Sequence, residues 1–137
     1  MPNLNGILET SLYVEDMVAS IRFYQEVLQF QQLGSDDRFC ALRAAHQQIL
    51  LLFKKGASKE PMTIDGGTIP PHDGKGQLHL AFAIEEQELE SWEEWLEVHR
   101  VPVESKVRWG RGGQSLYIRD PDRHLIELVT PGCWAIY

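Results

Sequence analysis

The sequence is poor in cysteine, in basic charge and in long apolar runs, and each shortage excludes something. Its two cysteines, Cys40 and Cys133, are too few for a disulfide framework. They are expected as reduced thiols of a cytoplasmic protein. Thirteen Lys and Arg stand against twenty Asp and Glu, a net charge of −7. Counterion release on DNA or RNA needs a basic surface, and anionic membranes attract the same sign, so neither is an expected partner. The longest apolar run, Ile49 to Phe53, has five residues, against ~20 for a membrane span. The first residues lack the basic and apolar regions of a secretory signal, and none is expected. What is present is 137 residues, 43% apolar and 24% charged. That suits one soluble domain able to bury a core without a disulfide or metal to fold it.

Two similar halves are legible. Residues 7–14 alternate as a half-buried strand, with Leu8, Thr10, Leu12 and Val14 on one face and Glu9, Ser11 and Tyr13 on the other. Asp16 is a capping residue for the helix that follows, in which Met17, Ile21, Tyr24 and Leu28 form one apolar stripe. Gly34 is expected in a turn, and residues 38–43 and 48–53 as two further strands. The plan then repeats. Residues 77–84 form a strand with His79 facing away from Leu78, Leu80 and Phe82, and a helix is expected over 86–99 with Leu89, Trp92, Trp95, Leu96 and His99 inward. Strands are expected over 101–107, 115–119 and 124–129, with Asp120-Pro121-Asp122 as the last turn. Aligning the first strands sets Glu9 opposite His79. Between the halves, residues 54–76 hold five glycines and three prolines and read as a crossover or lid. Seven acids between Glu85 and Glu97 read as the solvated face of the second helix.

The polar residues inside apolar strands carry the chemistry. Glu127 lies between Ile126 and Leu128, and His79 between Leu78 and Leu80. A buried charge needs a partner or a metal. Glu9, His79 and Glu127 would suit a divalent cation if the strand faces curve around one cavity. Spacing alone favours a satisfied rim histidine, an exposed Glu9 and a Glu127 paired with Arg119 or Arg123. Tyr117 and Arg119 share a strand face with Ser115. Arg43, Arg108 and Arg111 are further cations, and Gly110 to Gly113 reads as a turn rather than a phosphate cradle. His72 would close over the site if the loop is a lid. Trp109 and Trp134 suit ordinary packing, a pocket wall or a dimer seam.

Three stretches carry a resemblance to a family. Leu12 to Asp16 running into Ser20 to Tyr24 and Val27 to Phe30, His79 to Phe82, and Ser115 to Asp122 with Ile126-Glu127-Leu128 resemble the vicinal oxygen chelate superfamily. It contains glyoxalases, bleomycin-resistance proteins, fosfomycin-resistance proteins and extradiol dioxygenases. The resemblance implies an α+β fold of two βαβββ modules forming a cupped half-barrel, the glyoxalase/bleomycin resistance/dihydroxybiphenyl dioxygenase fold. The expected organisation is one domain over 1–137, with modules at about 5–54 and 77–132 and a linker at 55–76. Homodimers are implied, often with modules paired across chains. The family's metal positions fall on Glu9, His79 and Glu127. A fourth falls at Leu50 or Leu51, which cannot bind an ion, so three ligands are expected. The implied cofactor is a divalent metal (Mn, Ni, Co, Zn or Fe(II)), and the implied partner a small-molecule substrate, with Arg119 suited to an anionic group. The implied function is that of a metal-dependent lyase or isomerase chelating two neighbouring substrate oxygens. Glu9 would be the base, Glu127 a fixed ligand, and Tyr117 and Arg119 further catalytic residues. A metal-free binding protein and an Fe(II) extradiol dioxygenase are the alternatives. The dioxygenase pattern keeps Tyr117 but lacks a histidine between Trp109 and Gln114.

Overall fold

A computed structural model describes all residues, 1–137. The chain divides into two compact units, Met1–Lys75 and Gly76–Tyr137. In the first, β1 (Glu9–Val14) leads to α1 (Met17–Glu26), then β2 (Gln31–Ser35), β3 (Phe39–Ala45) and β4 (Gln48–Lys54). The sheet order is β1-β4-β3-β2, with β1 parallel to β4 and the other pairs antiparallel. The alternation holds for the later part of β1, where Leu12 and Val14 are fully buried, as are Leu42, Leu50 and Leu52 of the partner strands, but Leu8, expected on the same face, precedes the strand and is exposed. The α1 helix packs against β3 and β4. Its Tyr24 is fully buried and stacks on Phe30 at 5.8 Å between ring centroids. Asp16 caps this helix as expected, its Oδ1 accepting from the Ala19 amide at 3.0 Å.

Two local expectations for this unit are corrected. Gly34 is not in a free turn but in β2, at a bulge where the register against β3 shifts between Gln32 and Gly34. The strand is polar and exposed along its length, so it shows no alternation to read; an edge strand needs none. The 54–76 segment, read as a crossover or lid, has strands of its own. It carries β5 (Met62–Ile64) and β6 (Gly67–Ile69), paired as a hairpin across Asp65-Gly66, a favoured two-residue turn.

The second unit repeats the plan: β7 (His79–Ala83), a short 3-10 turn (Glu86–Glu88), α2 (Leu89–Val98), β8 (Ser105–Arg108), β9 (Gln114–Arg119) and β10 (Leu125–Val129), in the order β7-β10-β9-β8. Its core is Leu96 of α2 with Leu116, Ile118, Ile126 and Leu128, each no more than 1% exposed. The expected strand over 101–107 begins only at Ser105. Pro102 has no amide to give, and sheet bonding starts just beyond it, with the Glu104 amide on the Tyr117 carbonyl. The Asp120 turn forms as read. Its carboxylate accepts from the amides of Asp122 and His124.

Register makes the duplication exact enough to compare positions. Glu9 pairs with Ile49 as His79 pairs with Leu125. Two residues on, Leu51 corresponds to Glu127. Across the next strand, Ala41 opposite Leu51 corresponds to Tyr117 opposite Glu127. Leu51 therefore stands in the first unit where Glu127 stands in the second. No helix is long and apolar enough to cross a membrane.

Removing the α1 cap tests the local reading. Asp16→Ala should cost about 1 kcal/mol in a urea unfolding titration, with an unchanged denaturant dependence.

Candidate functional site

The second unit concentrates polar groups on the sheet face opposite its core. Register aligns Glu127 beside Tyr117, and Leu125 beside both Arg119 and His79. Glu127 is only 6% exposed. Its Oε1 accepts from the Ser115 hydroxyl, and Ser115 Oγ in turn accepts from Trp109 Nε1 at 2.8 Å. Its Oε2 lies 3.3 Å from His79 Nε2. The imidazole orientation is set from the other side, with Nδ1 2.9 Å from the Leu125 carbonyl oxygen. A carbonyl only accepts, so Nδ1 carries the hydrogen. In the neutral ring the unprotonated Nε2 then faces a carboxylate oxygen across 3.3 Å. Two lone-pair bearers so close call for a shared cation, a proton or a metal. An imidazole held by a backbone carbonyl is also the usual support for a metal-bound histidine.

Tyr117 lies tilted over His79, with ring centroids 6.3 Å apart. Burial, then hydrogen bonding to Glu127 and its charge, push the Tyr117 phenol above its ordinary value. The Cys133 thiol is also pushed up, by burial and then by the Glu127 charge. The C-terminal turn reaches this face because Gly113 and Gly132 meet backbone to backbone. A Cβ on Gly132, whose φ is +103°, would stand 2.5 Å from the Gly113 nitrogen.

Arg119 is placed differently from the anion-binding expectation. Its Nε and Nη2 donate to Glu104 at 2.8 and 3.1 Å, and its Nη1 donates to the Arg123 carbonyl. Neither Glu127 nor Glu9 is its partner, and an anionic ligand would have to compete with Glu104. The Glu104 pair keeps Arg119 firmly protonated, and Glu104 itself is held below the usual carboxylate range by Arg119. Sequence reading missed Glu104 because β8 begins later than expected. It placed Ser115 on the right face without seeing that it bonds Glu127.

Glu9 belongs to the first unit, exposed at the start of β1. It lines a cavity of about 760 Å³ whose other walls include Phe39, Ala41, Leu51, Phe53 and Met62. Thus the structure brings His79, Tyr117 and Glu127 together in one unit and sets Glu9 in the other. Neither unit by itself assembles three His, Cys, Asp or Glu side chains able to hold a metal. The donors fit a divalent cation in type. Two of them are preorganised against one another.

Comparison with known proteins gives a consistent picture. A family model described as the Glyoxalase/Bleomycin resistance protein/Dioxygenase superfamily matches residues 6–128. The metallothiol transferase FosB of Staphylococcus epidermidis is 29% identical over 118 residues, 85% of this chain and 75% of that protein. Its counterpart in Staphylococcus saprophyticus is 28% identical over 128 residues, 93% of this chain and 78% of that protein. Among solved structures, lactoylglutathione lyase from Agrobacterium tumefaciens superposes with a TM-score of 0.88 at 29% identity, covering 98% of this chain and 99% of its own. The fosfomycin resistance protein FosX of Listeria monocytogenes, at 21% identity and a TM-score of 0.68 over 93% of this chain and 94% of its own, shares the fold.

The Tyr117–Glu127 coupling is open to titration. In Glu127→Gln the negative charge that helps retain the phenol proton is gone, so Tyr117 should ionise at lower pH than in the parent. It should still lie above the ordinary value of 10.0, because burial remains. NMR of ring-labelled tyrosine, assigned with Tyr117→Phe, measures it.

Proposed function

The chain belongs to the Glyoxalase/Bleomycin resistance protein/Dioxygenase superfamily, and from that premise we propose a divalent-metal-dependent enzyme of lyase or isomerase type. It would act on a small substrate with two neighbouring oxygens. The observation that carries this reading is the His79–Glu127 pair, a fixed imidazole nitrogen 3.3 Å from a buried carboxylate oxygen. The proposed ligands are Glu9, His79 and Glu127. A divalent cation held there would supply Lewis-acid polarisation of the two substrate oxygens.

The chain's own groups have distinct tasks in this reading. Glu127, buried and held by Ser115, stays a fixed anion. The exposed Glu9 carboxylate is free to swing and takes the proton from carbon beside the substrate carbonyl. Tyr117, whose phenol keeps its proton, donates a hydrogen bond to the oxygen on which charge develops by turning its one hydroxyl hydrogen from Glu127 to the substrate. Arg119, engaged by Glu104, acts in the site by holding the β8 end of the sheet beside Tyr117, and reaches an anionic substrate group only by leaving Glu104.

A second reading, thiol transfer to an electrophilic carbon, is favoured by the metallothiol transferase relatives. The first-unit cavity weighs against a phosphonate substrate. Among its lining residues Arg38 is the one cation, paired with Asp36 at 3.2 Å, against the acids Glu9 and Glu60. The side chains there offer a dianion no net positive charge of their own.

Elemental analysis of protein purified without chelator or nickel resin should find about one transition-metal ion per chain. Glu9→Ala, His79→Ala and Glu127→Ala should each lose it, and Ser115→Ala should weaken it roughly 10–100-fold, the usual cost of losing an outer support. A protein that takes up no Mn²⁺, Ni²⁺, Co²⁺, Fe²⁺ or Zn²⁺, and gains no thermal stability from them, would be a metal-free binding protein. With the ion identified, isomerisation of a hemithioacetal against thiol addition to an epoxide separates the two enzymatic readings.

A further inference from the structure

The first unit lacks the polar set of the second at corresponding strand positions. Where the second has His79, Glu127 and Tyr117, the first has Glu9, Leu51 and Ala41, and all three of these line its cavity. The volume is about 760 Å³, room for a molecule larger than a three-carbon fragment. Its walls are chiefly Phe39, Ile49, Leu51, Phe53, Met62 and Ile69, the last two supplied by the β5–β6 hairpin.

Seven of the sixteen residues lining this cavity carry polar groups, Ser58, His72 and Tyr13 among them. Ser58 is 6% exposed and lines the cavity, and its hydroxyl oxygen has no hydrogen-bond partner in the protein. A buried hydroxyl without a partner is costly. The Ser58 carbonyl accepts from the His72 amide, which sets the two residues side by side. His72 Nδ1 lies 2.7 Å from the Tyr13 hydroxyl, and its ring meets Phe53 edge-on at 4.5 Å. Gly74 closes this corner: a Cβ there would fall 2.3 Å from the Tyr13 ring.

We propose that this cavity is a subsite for the aryl or branched apolar portion of a neutral carbonyl compound, with the Ser58 hydroxyl, shut off from water as it stands, turning toward the cavity to bond one of its oxygens. This deepens the lyase reading by naming the substrate class, and it rests on that reading only for the reacting end of the molecule. The aromatic pair Phe39 and Phe53, stacked at 5.9 Å, presents a flat apolar wall, and aromatic groups gain from such faces beyond simple burial. With Arg38 tied to Asp36 and two acids opposing it, the charge balance selects against a dianion.

Isothermal titration of the full-length protein with matched α-hydroxyketones tests this. The probes are 2-hydroxyacetophenone and hydroxyacetone, which share vicinal oxygens and differ in the phenyl group, and methylphosphonate as the dianion. The phenyl compound should bind at least ~10-fold more tightly than hydroxyacetone, with chelator present as well as with metal. Ser58→Ala should weaken it roughly 3–10-fold, and Ala41→Trp, which fills the cavity, should erase the phenyl advantage. Should Ala41→Trp melt early, the Met62 methyl resonance gives the same reading, shifting with 2-hydroxyacetophenone and not with hydroxyacetone. Equal affinities, a preference for methylphosphonate, or an unmoved Met62 resonance would overturn the proposal. An ion bound without phenyl preference defeats the subsite alone. A phenyl preference without any ion defeats the metal chemistry alone.

Discussion

A carboxylate buried in the middle of a strand is the constraint on which the second unit depends. Glu127 occupies a place where an unpaired ionised group would cost several kcal/mol. Its neighbours are arranged to prevent that: Ser115, itself bonded by Trp109, on one oxygen and His79 beside the other. Each of these depends on something farther off. Ser115 reaches Glu127 because the β9–β10 register is pinned by the Asp120 turn. The Trp109 turn is packed by the Gly113–Gly132 approach. The His79 ring is held by the carbonyl of Leu125. His79 Nε2 and Glu127 Oε2 are left facing one another at 3.3 Å, a pair that a shared proton or a metal would join.

The same topology in the first unit answers a different demand. With Leu51 at the position of Glu127 and Ala41 at that of Tyr117, nothing charged requires compensation on that strand, and the sheet face is left open to form an apolar cavity. Duplication has thus kept the backbone and divided the chemistry. One copy fixes polar groups against each other; the other offers volume and apolar surface. The hairpin in the connecting segment belongs to this division, since Met62 and Ile69 have no counterparts in the second unit and both line the cavity.

What could be read in the sequence followed physical signal strength. The strand carrying Glu9 and the helix after Asp16 were visible because one face must be buried and the cap is local. The β2 edge was invisible because an exposed strand of Gln31, Gln32, Leu33, Gly34 and Ser35 buries nothing. The β5–β6 hairpin carried a sequence mark, Asp65-Gly66, yet glycine and proline density around it read as loop. At the site, Glu127 and His79 stood out as charges among apolar residues, and Tyr117 by its face. The partners that make Arg119 and Ser58 distinctive were not legible. Glu104 meets Arg119 through the late start of β8, and the isolation of the Ser58 hydroxyl is a fact of packing that no spacing encodes.

Family membership fixes the scaffold and leaves the reaction to particular side chains. The side chains differ in which are committed and which are free to change. Glu127 is committed by burial and by Ser115, Arg119 by Glu104, and His79 by Leu125. A committed group can hold an ion or a strand end; it cannot move through a proton-transfer cycle without breaking what fixes it. Glu9, exposed at the first residue of its strand, has no such protein partner, and as a base it would have to leave only the ion it is proposed to hold. Division of labour between a fixed acid and a mobile one is what proton abstraction beside a carbonyl needs. A pure binding protein would have no use for the difference, because both carboxylates would then serve best held still.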